Sequence, residues 1–460
     1  MTILLYNSLT RKKEEFKPIS KDKVGIYSCG PTVYDNPHLG NMLPYIIWDV
    51  LKRYLLSQKY QVEHVMNITD VGHLTSDADA GQDKLVKASQ KTGESAWDLA
   101  KKYSAVFFEN MNELNILPSI KYLRATDTIR EQIEFAQVLD KKGYLYRISD
   151  GMYFDTSKAK NYGQLGNLKN VDQRAGSRVD VNPDKKHPSD FAVWKFSPAD
   201  EKRDMEWESP WGKGFPGWHL ECSVMSRMTL GDTFDIHTGG LDHLTVHHPN
   251  EMAQSQAVTG KRQANYWLHN AFMRVDSGKM SKSLGTGITL QDIKAKGFSP
   301  AAFRLLVLQN HYRKTLNFTW ESLEAAQRGL VNIIKEIAFF DKPALGCPDL
   351  EADFYLQMAD DINSAKGLAV LQQTIESENP THAKLCAVLK MDEVLGLGLK
   401  ELRERALNLP PGAQELLEQR KLVRQAKDWT QSDKLRDKLS ELGVEIRDTE
   451  LGQNAVQVKL

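Results

Sequence analysis

The sequence predicts an α/β chain: an open parallel sheet broken by an inserted segment, then an α-helical bundle, then a small α+β module at the C-terminus. Three observations carry that expectation. Near the N-terminus a strand, a loop, an amphipathic helix and a second strand follow one another within about fifty residues. Helical periodicity takes over after Trp320, and Pro410-Pro411-Gly412 sets off a last charged helical hairpin.

Val24-Gly25-Ile26-Tyr27-Ser28 is the first strand, an apolar run stopped by Cys29-Gly30-Pro31-Thr32. Ile46, Ile47, Val50, Leu51, Tyr54 and Leu55 then recur at helical spacing, and Val62 to Ile68 forms the next strand. Pro44 is expected in the first turn of the helix, where a missing N–H costs little. The result is a βαβ unit, and sheets of this kind bind ligands beyond the carboxyl ends of their strands. Cys29, His38 and Thr69 fall there.

From Leu117-Pro118 to Trp207 the pattern loosens into short elements, among them strands at Met152-Tyr153-Phe154 and Phe191-Ala192-Val193-Trp194, with a charged stretch at Asp184-Lys185-Lys186-His187. Residues 118–206 are therefore expected to be an insertion between the two parts of the sheet domain, 1–117 and 207–318. The sheet resumes with a helix from Trp218, a strand at Phe234-Asp235-Ile236-His237 and another from Trp267 to Val275. Leu323, Leu330, Ile333, Ile334 and Ile337 share one helical face and open the bundle, 319–409. The last module, 413–460, is a hairpin of helices from Leu416 to Leu442, bearing Arg420, Lys421, Arg424, Lys427, Lys434 and Arg436, with a β tail from Val444 to Val458. Arg420, Arg424 and Arg436 are candidates for RNA contact, although a charged helical face is more often simply solvated.

With 460 residues, 41% of them hydrophobic, the chain can form several domains and at least one large core. Sixty Lys and Arg cancel sixty Asp and Glu, so net charge gives no support for nucleic-acid binding and local patches must carry that argument. Four scattered cysteines, Cys29, Cys222, Cys347 and Cys386, argue against a disulfide framework and for a reducing compartment. Cys347 and Cys386 lack polar company and are expected to be packing residues. Met1 to Tyr6 is too short an apolar run for a signal peptide, and no segment approaches the ~20 apolar residues of a membrane span. A cytoplasmic protein with no membrane partner is expected.

Two constellations carry chemistry. In the first, Lys279-Met280-Ser281-Lys282-Ser283 sets two ammonium groups and two hydroxyls in a polar loop, flanked by Asp276-Ser277-Gly278 and Leu284-Gly285. Such a loop can follow a polyphosphate as charge migrates, without changing its own protonation state. By charge pattern alone such a segment is more often an ordinary solvated turn. Pro37-His38-Leu39-Gly40-Asn41 joins a strand-end loop to the first helix. There Gly40 permits close backbone approach, the helix N-terminus offers N–H groups to an anion, and His38 adds an imidazole donor.

The second constellation is metal-like. Cys29 ends a strand, Cys222 follows Gly217-Trp218-His219 on a helix, and His247 and Glu251, four residues apart, share a helical face. Two thiolates, an imidazole and a carboxylate suit zinc. Spacing alone leaves open that the cysteines are buried hydrophobes, and that His243 or His248 stands in for His247.

The His38 segment and the paired-lysine loop together resemble the two signatures of class I aminoacyl-tRNA synthetases, His-x-Gly-His after the first strand and Lys-Met-Ser-Lys-Ser after the last. Four segments resemble the cysteinyl-tRNA synthetase family specifically: Tyr27-Ser28-Cys29-Gly30-Pro31-Thr32-Val33-Tyr34, Asn67-Ile68-Thr69-Asp70, Pro216-Gly217-Trp218-His219-Leu220-Glu221-Cys222-Ser223 and Asn265-Tyr266-Trp267-Leu268-His269-Asn270. The resemblance spans nearly the whole chain. It implies a Rossmann-like catalytic domain with an insertion, an anticodon-binding helical bundle and the small C-terminal module. It implies one zinc ion on Cys29, Cys222, His247 and Glu251, and an amino-acid pocket lined by Thr69, Trp218, His237 and Asp242, with Asp242 toward the ammonium. ATP with Mg2+ would meet His38, Gly40, Asn41, Lys279 and Lys282, of which His38, Lys279 and Lys282 act on the phosphates. The implied partners are L-cysteine and tRNA(Cys), and the implied state is a monomer.

The implied chemistry has two steps. The cysteine carboxylate attacks the α-phosphate of ATP, giving cysteinyl-adenylate and pyrophosphate, and a terminal ribose hydroxyl of tRNA then takes the cysteinyl group. Serine differs only in oxygen for sulfur, and shape alone cannot supply the ~5 kcal/mol of a ten-thousandfold discrimination. Deprotonating a thiol of pKa ~8.5 at neutral pH costs ~2 kcal/mol, against roughly 12 for an alcohol taken as near water's ~15.7. Half that gap suffices, so no separate editing domain is expected.

Three positions depart from the family pattern. Asn41 stands where the signature has its second histidine, Thr286-Gly287 replaces Asn-Phe after the lysine loop, and Thr245-Val246 with Pro249 alters the surroundings of His247. Two other readings compete. A cysteine ligase of the mycothiol type would charge an amino sugar and have no use for the basic hairpin. An inactive RNA-binding synthetase paralogue would not need His38, Lys279 and Lys282.

Overall fold

The computed structural model describes residues 1–72, 84–167, 182–198, 203–275, 278–279, 287–449 and 452–457. At its centre lies a five-stranded parallel sheet of β1 (Lys23–Ser28), β2 (Gln61–Ile68), β3 (Lys121–Arg124), β4 (Phe234–Gly240) and β5 (Ala264–Asn270), in spatial order β5-β4-β1-β2-β3. The chain runs outward from β1 to β3, then returns to build β4 and β5 on the other side. The order reverses between β1 and β4, and the crevice beyond their carboxyl ends is where such sheets bind ligands.

Helix α1 (Leu39–Ser57) links β1 to β2. It begins earlier than its apolar periodicity suggests, so Pro44 sits in the second turn and not the first. A proline inside a helix costs about 3 kcal/mol. Leu39, Met42, Ile46, Leu51, Tyr54 and Leu55 are wholly buried, and at about 1.5–3 kcal/mol for each large apolar side chain their burial outweighs that loss.

The sheet reaches further along the chain than the expected boundary at residue 118. Lys121–Arg124 pairs in parallel with Val65–Ile68 and forms the sheet edge. Four residues are too few to show strand periodicity, so the segment had merged with the looser pattern after it. The inserted unit is a four-stranded antiparallel sheet of Leu145–Ile148, Gly151–Phe154, Phe191–Phe196 and Gly214–Pro216, its last strand lying beyond residue 206. The strand expected from Trp267 to Val275 is two strands. β5 ends at Asn270, and Met273–Val275 joins a separate small sheet with Gly278–Lys279 and Leu316–Phe318.

Two helices on the sheet's far half complete the site's frame: α2 (Trp218–Leu230) and α3 (His247–Thr259). Beyond them, α4 (Pro300–Leu308) leads into the helical region, where α5 (Trp320–Ala338) buries the expected Leu323, Leu330, Ile333, Ile334 and Ile337. Helix α6 (Thr381–Leu395) packs against α1. The C-terminal module pairs α7 (Ala413–Gln425) and α8 (Trp429–Glu441) over an antiparallel hairpin, Val444–Thr449 with Gly452–Gln457. Its expected last residue, Val458, lies outside the described residues.

In this module Arg420, Arg424 and Arg436 all converge on Asp448, at 2.7, 3.1 and 2.8 Å. Arg420 is fully buried and therefore cannot meet RNA. Its role is to hold α7 onto the hairpin. Among the described residues no helix is long and apolar enough to cross a membrane.

Candidate active site and metal centre

His38 is the N-cap of α1. Its Nδ1 accepts from the Asn41 amide at 3.2 Å, while the Asn41 side-chain oxygen accepts from the His38 amide at 3.1 Å. With Nδ1 accepting, the neutral ring carries its proton on Nε2. Asn41 is thereby accounted for as half of a reciprocal capping box, a task for which an amide is well suited. Gly40, the second residue of the helix, stands between them.

The residues that follow the lysine-bearing segment are anchored beside this helix end. Gly278–Lys279 pairs with Arg274–Val275, and downstream the Leu39 amide donates to the Ile288 carbonyl at 2.7 Å while His38 and Thr289 form an antiparallel bridge. Lys282 lies outside the described residues, as do Thr286 and the side chain of Lys279.

At the carboxyl ends of β1 and β4, the Cys29 amide donates to the Thr238 carbonyl at 3.3 Å, fixing the first cysteine. Cys222 and Glu251 come from α2 and α3, and His247 opens α3. One ligand atom from each of Cys29, Cys222, His247 and Glu251 lies within 4.8 Å of all the others. His247 Nε2 is 3.0 Å from Glu251 Oε1, and Cys29 Sγ is 3.8 Å from the same oxygen. Pro249 sits in the first turn of α3, where it displaces no helical hydrogen bond. A second group overlaps the first: Cys29, His237, His248 and Glu251. His243 belongs to neither.

Burial opposes charge at His247, yet the Glu251 carboxylate and the Cys222 thiol push its pKa up to about 10. Burial also works against ionised Glu251, but His237 and His247 hold it far below the usual carboxylate range. Burial and the neighbouring Cys222 raise the Cys29 thiol, whereas Cys222, opposed by burial, is lowered by its contacts with Cys29 and His247. Two thiolates and a carboxylate so close cannot all be ionised without a cation. A divalent ion that prefers sulfur and nitrogen resolves that conflict, so the donor set is compatible with zinc. Burial pushes His248 and His269 well below the usual histidine value, leaving both neutral.

The expected pocket residues gather around this group. The Trp218 ring lies 4.3 Å from that of His247, and His237 stacks on Trp267 at 4.7 Å with Nε2 2.9 Å from Glu251 Oε2. Thr69 donates to Glu221 Oε2 at 2.8 Å and accepts from Asn67 Nδ2 at 3.0 Å. Asp242 is exposed at the rim, 3.7 Å from His243 Nε2. Gly239 is required beside His243 and His248, since an added Cβ would lie 2.6 Å from His243 Nδ1 and 2.7 Å from His248.

Sequence reasoning missed several supporting residues. His219 Nδ1 lies 2.9 Å from His247 Nδ1, and Gln263 donates to Glu251 Oε2 at 3.2 Å. His248 Nδ1 meets His269 Nε2 at 2.8 Å, and His269 Nδ1 meets Ser8 Oγ at 2.8 Å. One signal was available: Trp267 and His269 alternate along a strand and so share a face.

Comparison with known proteins agrees. Residues 15–328 match the family described as tRNA synthetases class I (C) catalytic domain, and residues 407–454 match the cysteinyl-tRNA ligase anticodon binding domain. The anticodon-binding match thus falls on the C-terminal module, outside the bundle at 319–409 apart from its last residues. Cysteine–tRNA ligase 1 of Burkholderia lata is 47% identical over 461 residues, covering 98% of this chain and 96% of that protein. Cysteine–tRNA ligase of Thermococcus gammatolerans is 39% identical over 490 residues, covering 100% of each. Methionyl-tRNA synthetase of Mycobacterium tuberculosis, solved with methionyl-adenylate, shares the fold with a TM-score of 0.55 at 12% identity, over 85% of this chain and 94% of that one. With matches of this extent added to the crevice geometry, the chain belongs to the class I tRNA synthetase (C) family, that of the cysteinyl-tRNA ligases.

Proposed function

We infer that the protein is a cysteine–tRNA ligase, activating L-cysteine with ATP and Mg2+ and transferring it to tRNA(Cys). The observation that carries this reading is the four-donor group of Cys29, Cys222, His247 and Glu251 in the crevice at the strand-order reversal. Zinc held by these four residues would supply a soft Lewis acid that prefers the substrate's sulfur to serine's oxygen.

The residues around it position and exclude. Trp218 and His237 wall the side-chain pocket, Asp242 at its rim pairs with the substrate ammonium, and Thr69 offers an oxygen lone pair to the same group. His38 directs its Nε2–H to the triphosphate beside the helix N-terminus, and Lys279 and Lys282 neutralise charge as it shifts toward pyrophosphate. No strong protein base is required, because the carboxylate is already ionised and the adenylate is already an activated anhydride. Catalysis is positioning and charge stabilisation. The helical bundle and the C-terminal module provide the surface that reaches the anticodon.

The test is charging of total tRNA with labelled cysteine, run beside serine and beside an amino-sugar acceptor. Acid-stable cysteinyl-tRNA with no serine product is expected. Acylation of the sugar alone would replace this reading with the mycothiol-type ligase.

A further inference from the structure

We propose that the crevice contains a second divalent-metal position, formed by Cys29, His237, His248 and Glu251, sharing two donors with the first. This rests on the zinc reading above and extends it. One ligand atom from each of the four residues lies within 4.8 Å of all the others. His237, His248 and Glu251 are wholly buried, unlike a chance cluster of surface acids.

The shared carboxylate faces both groups. Its Oε1 lies 3.0 Å from His247 Nε2 and 4.0 Å from His248 Nε2, and its Oε2 lies 2.9 Å from His237 Nε2. Cys29 Sγ lies 3.4 Å from His248 Nε2. A carboxylate and a thiolate can each bridge two cations, so filling the second position does not require emptying the first.

His248 is set up as a ligand from behind. Its Nδ1 is held by His269, which is held in turn by Ser8, leaving Nε2 directed at Cys29. The first group has the same arrangement, with His219 behind His247. Imidazoles that ligate metals are commonly fixed through the nitrogen that does not ligate.

The chemistry of the set selects the ion. One thiolate, two imidazoles and one carboxylate suit zinc, cobalt, nickel or copper and not Mg2+ or Ca2+. With one thiolate fewer, this position binds more weakly and fills second. Because His237 also walls the amino-acid pocket, an ion there excludes cysteine.

The experiment uses the zinc-loaded full-length protein titrated with Co2+. Retention of one zinc, uptake of one cobalt with a sulfur-to-cobalt absorption band, and a cysteine KM that rises with free cobalt at constant kcat are expected. His248→Asn should keep one zinc and weaken the cobalt step at least tenfold, and His269→Asn should weaken it about 10–100-fold. No second ion below about 1 mM free cobalt, a binding free energy of roughly −4 kcal/mol, overturns the proposal. So does equal uptake by a folded His248→Asn variant. Should that variant not fold, the wild-type titration decides alone. Protein that carries one zinc but takes no cobalt sinks this inference and leaves the zinc reading standing. Protein that never carries zinc removes both.

Discussion

The amide of Leu39 donates to the carbonyl of Ile288 at 2.7 Å. Through that bond the segment carrying Lys279 and Lys282 returns to the N-terminus of α1, having left the small sheet at Gly278–Lys279. Thr289, which bridges to His38, also caps the following helix through Asp292. The residues after the lysine segment are thus tied beside His38 and those at its start to the small sheet, although some 240 residues separate the two signatures in sequence.

Asn41 tests how that helix end works. Asn41→Ala removes half of the capping box and should lower the unfolding free energy by about 1 kcal/mol in a urea titration. Asn41→Asp keeps an acceptor for the His38 amide but adds negative charge where ATP is expected. It should destabilise less than alanine while raising the KM for ATP more. If the two variants rank the same way in stability and in ATP affinity, the separation of capping from phosphate binding is wrong.

Cys222→Ala removes a donor used by the first metal group and not by the second. Zinc affinity should fall by more than the ~10–100-fold typical of losing a residue that merely supports a ligand. The cysteine KM should climb and discrimination against serine should shrink, with little change in the KM for ATP. Metal analysis and pyrophosphate exchange with each amino acid read this out. Unchanged zinc content and selectivity would refute the ligand set.

Thr69 gives its proton to Glu221, and the Asn67 amide donates to the same hydroxyl. That polarity leaves a lone pair, and no proton, for a substrate ammonium. Glu221→Gln offers an N–H as readily as an oxygen and scrambles the arrangement. Loss of one such hydrogen bond, worth roughly 1.5 kcal/mol when one partner is charged, should raise the cysteine KM about tenfold in both Thr69→Val and Glu221→Gln, with kcat little changed. Thr69→Val without effect would place Thr69 away from the amino acid. An effect in Thr69→Val alone would leave Glu221 a purely structural residue.

The parts of this molecule legible in sequence are those where one local signal suffices. β1, α1, β2 and α5 have unbroken apolar periodicity, and Cys29, Cys222, His247 and Glu251 are recognisable from residue type and family motif. β3 escaped because four residues show no period, and the break at Ala271–Phe272 escaped because apolar residues continue through it. The buried role of Arg420 escaped for a different reason, and with it the pairing it shares with Arg424 and Arg436. Their partner, Asp448, lies on another element, and sequence spacing on a helix says nothing about a carboxylate that folding delivers from elsewhere. His248, His269 and Ser8 come from three segments and meet only in the fold.

Helix α1 is joined to the bundle by a buried charge network. Arg304, wholly buried on α4, donates to Asp49 Oδ2 at 2.5 Å, to the Leu395 carbonyl at 2.8 Å and to the Leu114 carbonyl at 2.9 Å. Arg53 also reaches Asp49, at 2.7 Å. Asp49→Ala strands Arg304 without a carboxylate and should cost about 3–5 kcal/mol. Arg304→Ala leaves Asp49 still paired with Arg53 and should cost less. The double variant should be less destabilised than the sum of the two, which denaturant titrations of all three would show. Strict additivity would mean that the pair is not coupled.

Asp448 makes the C-terminal module sensitive to acid. Hydrogen bonds and charge from Arg420, with further help from Arg424 and Arg436, hold its carboxyl below the ordinary value, against a smaller opposing effect of burial. A carboxylate whose folded pKa lies below its unfolded one adds stability at pH values above the unfolded ~3.9, and that contribution is lost as pH falls through the folded value. The module should therefore loosen at acid pH while remaining insensitive to pH between about 5 and 8. Asp448→Asn should abolish this particular acid step and weaken the module at neutral pH, because three guanidinium groups, one of them buried, lose their shared counter-charge. Trp429, exposed and 5.5 Å from the Arg424 guanidinium, is a local fluorescent reporter. An Asp448→Asn module that keeps the wild-type acid transition would show that some other carboxylate controls it.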